Sequence, residues 1–242
     1  MKIYDNYLSF FLKKRTLTPY MRGFLKENLL PFLPSDKEIN ILDVGFGKGK
    51  VISFLKEQGF RNIWGVDISK ESYEYVIKNK ILSQKRLERI NAIKYFKRIN
   101  KNFDFIICKD FLEHLNKDEI ILFLKLLKKN IKKNGVGWFE VPNLQNFILG
   151  NFIFNDDFTH KTGFTENSLR QIFKISGFKK IYLFREKSPI IVNDPLLFFG
   201  SILSATLNLI IQIIIKILYI FHFRLISPKV FTSNIIAVLV ND

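Results

Sequence analysis

Ile41-Leu42-Asp43-Val44-Gly45-Phe46-Gly47-Lys48-Gly49 is the stretch on which the reading of this chain turns. Ile41 to Val44 is a short apolar run of the kind that forms a buried strand, and three glycines spaced by two follow it at once. From Lys50 to Gln58 the apolar positions Val51, Ile52, Phe54 and Leu55 suit one face of a helix, closed by Gly59. A second strand is predicted over Asn62 to Val66, ending on Asp67, eighteen positions after Gly49. A glycine-rich turn between strand and helix lets the backbone approach a ligand closely, because glycine lacks Cβ. The helix start beyond it favours negative charge. An acidic residue at the end of the next strand can accept hydrogen bonds from both hydroxyls of a ribose.

Outward from this unit, strands and helices keep alternating. Lys70 to Lys80 reads as a helix, Arg86 to Ile90 as a short strand, Phe103 to Cys108 as a strand and Lys117 to Lys129 as an amphipathic helix. Val136 to Val141 is a strand stopped by Pro142. Thr165 to Ser176 is a helix, Lys180 to Arg185 a strand, and Asn234 to Val240 the last strand. Such alternation predicts an α/β fold: a doubly wound, Rossmann-like, mostly parallel sheet of seven strands with helices on both faces. Residues 1–36 alternate aromatic and basic positions (Tyr7, Phe10, Phe11, Lys13, Lys14, Tyr20, Phe24) up to Pro31 and Pro34, which suggests one or two short helices ahead of the main fold. The expected organisation is a single domain: an N-terminal helical segment over 1–36, a core over 37–189 and 230–242, and an apolar helical insertion over 190–229.

The glycine spacing separates two cofactor classes. The dinucleotide fingerprint places its third glycine five residues after the first, whereas Gly49 falls four after Gly45 and Asp43 precedes them in the strand. The stretch from Asp43 to Gly49, with Gly65-Val66-Asp67-Ile68-Ser69 after it, resembles motif I and the following acidic strand end of class I S-adenosylmethionine (SAM)-dependent methyltransferases. Phe103 to Leu115 is similar to the fourth strand and its loop in that family, and Leu126 to Asn143 to the helix, turn and strand that come next. The resemblance implies SAM as cofactor, with Gly45, Gly47 and Gly49 flanking its methionine part and Asp67 holding its ribose. It also implies that the last of the seven strands is antiparallel, and it puts Asp43, Phe46, Ile68, Lys109 and Asp110 around the cofactor. Relatives often place aspartate near the adenine; here Asn91-Ala92 stands there, and asparagine can both donate and accept.

Methyl transfer to an alcohol or phenol needs positioning and a base, and two histidines offer one. His160 lies in Asp156-Asp157-Phe158-Thr159-His160, followed by Phe164-Thr165-Glu166-Asn167-Ser168-Leu169-Arg170, a stretch that resembles methyltransferases of bacterial surface-polysaccharide synthesis. An Asp157–His160 pair is the favoured catalytic unit; fixing the loop is the alternative role. His114 lies in Asp110-x-x-Glu113-His114, just past the fourth strand, as a second catalytic candidate or a helix-capping residue. Ubiquinone-type O-methyltransferases carry a similar stretch that binds a divalent metal, and this resemblance makes Asp110, Glu113 and His114 ligands. The acceptor implied is a sugar or other hydroxylated, lipid-linked molecule, with a quinone or lipid as the alternative and a non-catalytic SAM-binding module as the rival of another class.

Composition bounds the partners. Hydrophobic residues make up 48% of the 242, enough to build a core. The single cysteine, Cys108, excludes an internal disulfide and fits a reducing cytoplasm. A formal charge of +16 attracts polyanions, nucleic acid or an anionic membrane, although a Lys-, Ile- and Asn-rich bias gives the same excess. Nucleic acid is the less expected: Lys109-Asp110-Phe111 follows the fourth strand where amino-directed DNA and RNA enzymes carry Asp/Asn-Pro-Pro-aromatic, and Cys108 is not preceded by proline. From Pro195 to Ile215 no residue is charged, a length sufficient to cross a bilayer. Strands before and after it must join one sheet, however, and Ser201, Ser204, Asn208, Gln212, Lys216 and Tyr219 form a polar stripe. Leaving its large apolar side chains in water costs about 1.5–3 kcal/mol each. The cover is the protein's own fold, a partner subunit in an oligomer, or the inner face of a membrane on which a cytoplasmic protein sits peripherally.

Overall fold

β1 (Ile41–Val44) is buried at every position because it runs through the middle of the sheet with helices on both faces. The computed structural model describes Tyr4 and residues 17–146, 149–190, 195–223 and 229–242. The aromatic and basic alternation from Tyr7 to Lys14 lies outside the described residues. Around β1 the strands are β2 (Ile63–Asp67), β3 (Leu87–Arg89), β4 (Phe103–Lys109), β5 (Ile131–Pro142), β6 (Lys180–Arg185) and β7 (Asn234–Val240). They form one seven-stranded sheet in the order β3-β2-β1-β4-β5-β7-β6. β7 runs antiparallel between β5 and β6, so it alone opposes the rest, as the family resemblance implied.

Strand order reverses between β1 and β4. After β1 the chain builds outward through β2 and β3, then returns to add β4 on the other side, with Ile41 to Asp43 paired to Phe105 to Ile107. Loops leaving the carboxyl ends of β1 and β4 therefore splay apart and leave a crevice, the usual ligand position of such sheets. Two cores flank the sheet because alternate strand residues point to opposite faces. One face packs Leu42, Ile106, Cys108 and Phe139 against α4 (Ala92–Arg98), α5 (Lys117–Asn130) and α7 (Glu166–Ile175). The other packs Ile41, Phe105, Ile107 and Trp138 against α1 (Pro19–Asn28), α2 (Lys50–Glu57) and α3 (Lys70–Lys78). Trp138 Nε1–H donates to the Asn28 carbonyl at 3.0 Å and fastens α1 to the sheet.

Three features depart from the sequence expectation. α4 has only seven residues, too short for a periodic signal, yet Asn91 caps it by accepting from the Ile93 and Lys94 amides. α6 (Leu149–Asp156) holds Gly150, Asn151 and Asn155, poor helix formers that masked it. β5 begins at Ile131 directly from α5, bending at Asn134 (φ 60°) before the predicted stretch at Val136. β3 is confined to Leu87–Arg89 within the expected 86–90. Between β6 and β7 lies α8 (Pro195–Leu218), continued by a π-helical turn at Tyr219–Phe223.

Candidate active site

The glycine turn folds over the end of β2. Gly45 N–H donates to the Val66 carbonyl at 2.8 Å, and Gly47 N–H donates to Asp67 Oδ2 at 2.8 Å. The Ser69 amide donates to Asp67 Oδ1 at 2.8 Å. Gly45 and Gly47 have φ of 75° and 50°, a left-handed backbone that costs other residues roughly 1–2 kcal/mol each. A Cβ on Gly47 would point into open space, which is room for a ligand against bare backbone. Gly49 stands back from the turn: a Cβ there would meet Ile81 and Val76 at 3.0 and 3.1 Å, so its part is to let α2 and α3 pack.

A cavity of about 320 Å³ opens beside this turn, with Gly45, Gly47 and Asp67 at one end and Asn91 and Ala92 at the other. Ile68 is exposed and, with Phe111, gives the cavity apolar walls of the sort an adenine ring fills. Asn91 Oδ1 is engaged as helix cap, which leaves its side-chain amide and the Ala92 N–H at the first helical position as donors. Asp67 keeps carboxylate lone pairs beyond the two that its backbone partners use. Burial raises its pKa to about 6 although the Ser69 and Gly47 amides pull the other way.

A second cavity, about 150 Å³, lies on the other side of the turn and is lined by Asp43, Phe46, Lys48 and Lys109. Asp43 is 2% exposed and its Oδ2 accepts no hydrogen bond. Burial, reinforced by the nearby Asp67 charge, pushes its carboxyl up to about 8. The Phe46 ring is buried in the core while its backbone belongs to the turn. Lys109 pairs with Asp110 Oδ2 at 2.6 Å and Glu140 Oε2 at 3.1 Å. Burial would lower its pKa, but the two acids raise it, so it stays charged.

Beyond β4 a third cavity of about 290 Å³ shares Asp110 and His114 with the first, so the two meet at that wall. Its other side chains include Glu113, Glu140, Asp157 and His160. The loop carrying His160 is laced to the turn after β4: the Lys161 and Thr162 amides donate to the Glu113 carbonyl at 2.7 and 3.1 Å, and the Thr162 hydroxyl to the Leu115 carbonyl at 2.8 Å. The Thr159 hydroxyl donates to Asp157 Oδ1 at 2.7 Å and lies 2.8 Å from His114 Nδ1. Its one proton is committed to the carboxylate, so Nδ1 of His114 is the donor and Nε2 its unprotonated nitrogen. His160 Nδ1 lies 2.7 Å from the Phe154 carbonyl, which fixes the same tautomer there. His160 Nε2 is 4.0 Å from both Glu113 Oε1 and Asp157 Oδ2. Glu113 is 1% exposed with neither carboxylate oxygen hydrogen-bonded. Burial, then the Asp110 charge, holds its pKa well above the usual range. Burial and the adjacent His160 push His114 down to about 4.

A family model described as "Methyltransferase domain" matches residues 17–183. The chain belongs to this family. Residues 17–183 are a methyltransferase domain by sequence family, and the fold is that of class I SAM-dependent methyltransferases. Among solved structures, a SAM-dependent methyltransferase from Archaeoglobus fulgidus superposes with a TM-score of 0.62 at 20% identity, covering 90% of this chain and 92% of that one. A possible histamine N-methyltransferase from Thermotoga maritima gives 0.61 at 14% identity, covering 100% and 97%. These likenesses show the fold. Among curated proteins, the ubiquinone biosynthesis O-methyltransferase of Rickettsia canadensis is 26% identical over 140 residues, 55% of this chain and 56% of that protein. The release factor glutamine methyltransferase of Fusobacterium nucleatum is 27% identical over 115 residues, 46% and 32%. The chain thus spans about half and about a third of the length of these two relatives.

On this methyltransferase fold the sequence-selected residues fall into two groups. Asp43, Gly45, Phe46, Gly47, Asp67, Ile68, Asn91 and Ala92 line the two cavities around the glycine turn, and Lys109 and Asp110 stand between those cavities and the third. Glu113, His114, Asp157 and His160 gather in the third. The expected Asp157–His160 pair stands at 4.0 Å, and each partner is also held elsewhere. Asp157 is bonded to Thr159 and through it to His114, while His160 takes its orientation from the Phe154 carbonyl. The Asp110 carboxylate turns to Lys109, and His160 is the residue that joins Glu113 and His114. Thr159 and Tyr4 escaped the sequence reading. Thr159 carries a signal, an Asp-x-Thr turn; Tyr4, whose ring meets His114 edge-on at 6.3 Å, carries none.

Proposed function

We propose that this chain transfers a methyl group from SAM to a hydroxyl oxygen of a sugar or comparable polyol acceptor. The single observation behind the reading is the third cavity: a polar chamber holding two imidazoles and a buried carboxyl, sharing the Asp110 and His114 wall with the cavity at the glycine turn. Polar walls suit an acceptor with several hydroxyls better than an apolar ring.

The residues fit the cofactor. Asp43 offers an unbonded, buried carboxyl oxygen that a cationic methionine moiety would satisfy, Gly47 leaves room against the backbone, and Asp67 has lone pairs for a ribose. Bound SAM would supply a methyl on a sulfonium, a leaving group that is already activated. The protein's part is to hold donor and acceptor in line, which can lower a barrier by roughly 7–11 kcal/mol. His160, with Nδ1–H held by the Phe154 carbonyl, directs an unprotonated Nε2 that accepts the acceptor hydroxyl's proton as the new C–O bond forms. The resulting imidazolium sits 4.0 Å from the Asp157 and Glu113 carboxyl groups.

One distance favours a second reading. A Glu113 carboxylate oxygen and one ring nitrogen each of His114 and His160 lie within 4.8 Å of one another. One carboxylate and two imidazoles suit a transition-metal dication such as Mn²⁺, Fe²⁺ or Zn²⁺. Such an ion would restore the charge of Glu113 and polarise the acceptor hydroxyl, in place of His160 acting as base. A quinol acceptor is the alternative substrate, supported by the likeness to ubiquinone biosynthesis O-methyltransferases.

The test is release of S-adenosylhomocysteine with lipid-linked glycans and with quinols, using metal-stripped protein with and without Mn²⁺. Turnover on glycans that survives stripping and falls at least 100-fold in His160→Ala supports His160 as base. Turnover restored only by the metal supports the second reading. Activity confined to quinols overturns the sugar assignment.

A further inference from the structure

α8 carries its polarity inside out. Ser201 and Ile215 are buried against the body, and Ala205, Asn208 and Gln212 are half-buried on the same side. Asn208 and Gln212 close a cavity of about 230 Å³ whose far wall is the chain from Arg185 to Ser188 with Thr232 and Ser233. The Tyr219 ring, at the end of the helix, meets the Phe231 ring edge-on at 6.0 Å. The opposite side is apolar and bare: Leu196 is 82% exposed and Phe221 79%, with Phe199, Leu203, Ile210 and Ile217 exposed between them. With Leu209 and Leu218, both also exposed, these positions sweep roughly half the circumference at about 100° per residue, along about 36 Å of helix. The polar interruption in that arc is Thr206, whose hydroxyl is bonded to the Ile202 carbonyl at 2.9 Å.

We propose that α8 is an in-plane membrane anchor whose outward face seats in an anionic bilayer surface. Its topology excludes a single crossing. β6 and β7 lie side by side in one sheet, with Arg185 paired to Ile235, so the chain leaves and returns on the same side. Between Leu218 and Asn234 the chain has too few residues for a second helical crossing, which takes about 20. A second copy of the chain covers too little. Helix-on-helix packing hides a stripe of roughly 100°, leaving the rest of the apolar half in water. A bilayer surface takes in the whole half-cylinder. Charge favours anionic lipid: the chain carries +16, and Arg185, Lys187 and Lys216 are exposed beside or on the helix. The anchor lies near the acceptor cavity. The Asn234 side-chain amide donates to Glu186 at 2.8 Å and Glu140 at 3.3 Å, linking the walls of the two chambers. The anchor stands apart from the choice of acceptor.

Flotation of the full chain with phosphatidylcholine vesicles, with and without 30% phosphatidylglycerol (a composition chosen for roughly this effect), tests it, beside the triple variant Leu203→Glu/Ile210→Glu/Ile217→Glu. Wild type should float with the anionic vesicles at least tenfold more than with neutral ones. The triple variant should stay at the bottom while binding SAM calorimetrically like wild type, which separates loss of the anchor from loss of the fold. As a second readout, the indole introduced by Ile210→Trp should be quenched by brominated acyl chains. Wild type that remains soluble with both vesicles overturns the proposal. So does a dimer that the triple variant splits while neither floats, since a second copy then covers the face.

Discussion

The cavities at the glycine turn and the chamber beyond β4 meet at Asp110, yet they are made of different material. Around the glycine turn much of the work is done by main chain: the Gly47 and Ser69 amides fix Asp67, and bare backbone at Gly47 faces open space. The chamber is made of side chains from separate segments, Glu113 and His114 after β4, Glu140 on β5, Asp157 and His160 on the loop after α6. Backbone recognition fixes what the cofactor must be and leaves the acceptor open. Side-chain recognition can change the acceptor without disturbing the cofactor. The two halves should therefore fail separately when altered.

The largest expected effect belongs to the chamber. His160→Ala removes the proton acceptor and should lower kcat about 100-fold or more while the Kd for SAM stays within twofold. A parallel loss of SAM affinity would show that the halves are one unit. Next is a pH effect on the cofactor side. Asp43 titrates near 8 in the free protein, so at pH 6–8 it is protonated, and a cation bound at the turn must expel that proton. SAM affinity should therefore rise by up to about tenfold per unit as pH climbs towards 8 and level off above it, with Asp67 steepening the slope below about 6. The ligand-free fold behaves oppositely: with folded-state pKa values raised, it is most stable at low pH and loses that contribution as pH rises through about 8. Calorimetry in two buffers of different ionisation enthalpy reads the proton release directly, and Asp43→Asn should flatten the profile.

Smaller effects sharpen the contrast. Gly47→Val forces a β-branched residue to φ 50°, costing about 1–2 kcal/mol of stability and roughly tenfold in SAM affinity, with Tm and calorimetry as the checks. Thr159→Val cuts the link from Asp157 to His114 and should lower kcat about three- to tenfold, with KM for SAM unchanged.

The same contrast explains how much could be read in advance. The order of strands and helices and the turn from Gly45 to Gly49 were legible because each is a local pattern of periodicity or spacing. Asp67 was legible too, being one helix and one strand further on. The pairing inside the chamber was not. Nothing local says that Asp157 will reach Thr159 and His114 while the Phe154 carbonyl takes His160, because loop lacing to Glu113 and Leu115 decides it. α4 and α6 escaped for a different reason, one too short and the other rich in glycine and asparagine, both held by packing rather than propensity.

The central claim is that the glycine turn and Asp67 form a SAM site independent of the acceptor chamber. Calorimetric titration of SAM and S-adenosylhomocysteine into wild type, Asp67→Ala and His160→Ala tests it most directly. Both ligands should bind wild type and His160→Ala alike, and Asp67→Ala should lose at least about 100-fold, since charge-assisted bonds are worth roughly 1.5–3 kcal/mol each. A folded wild type that binds neither ligand, or an Asp67→Ala variant that binds as well as wild type, would contradict it.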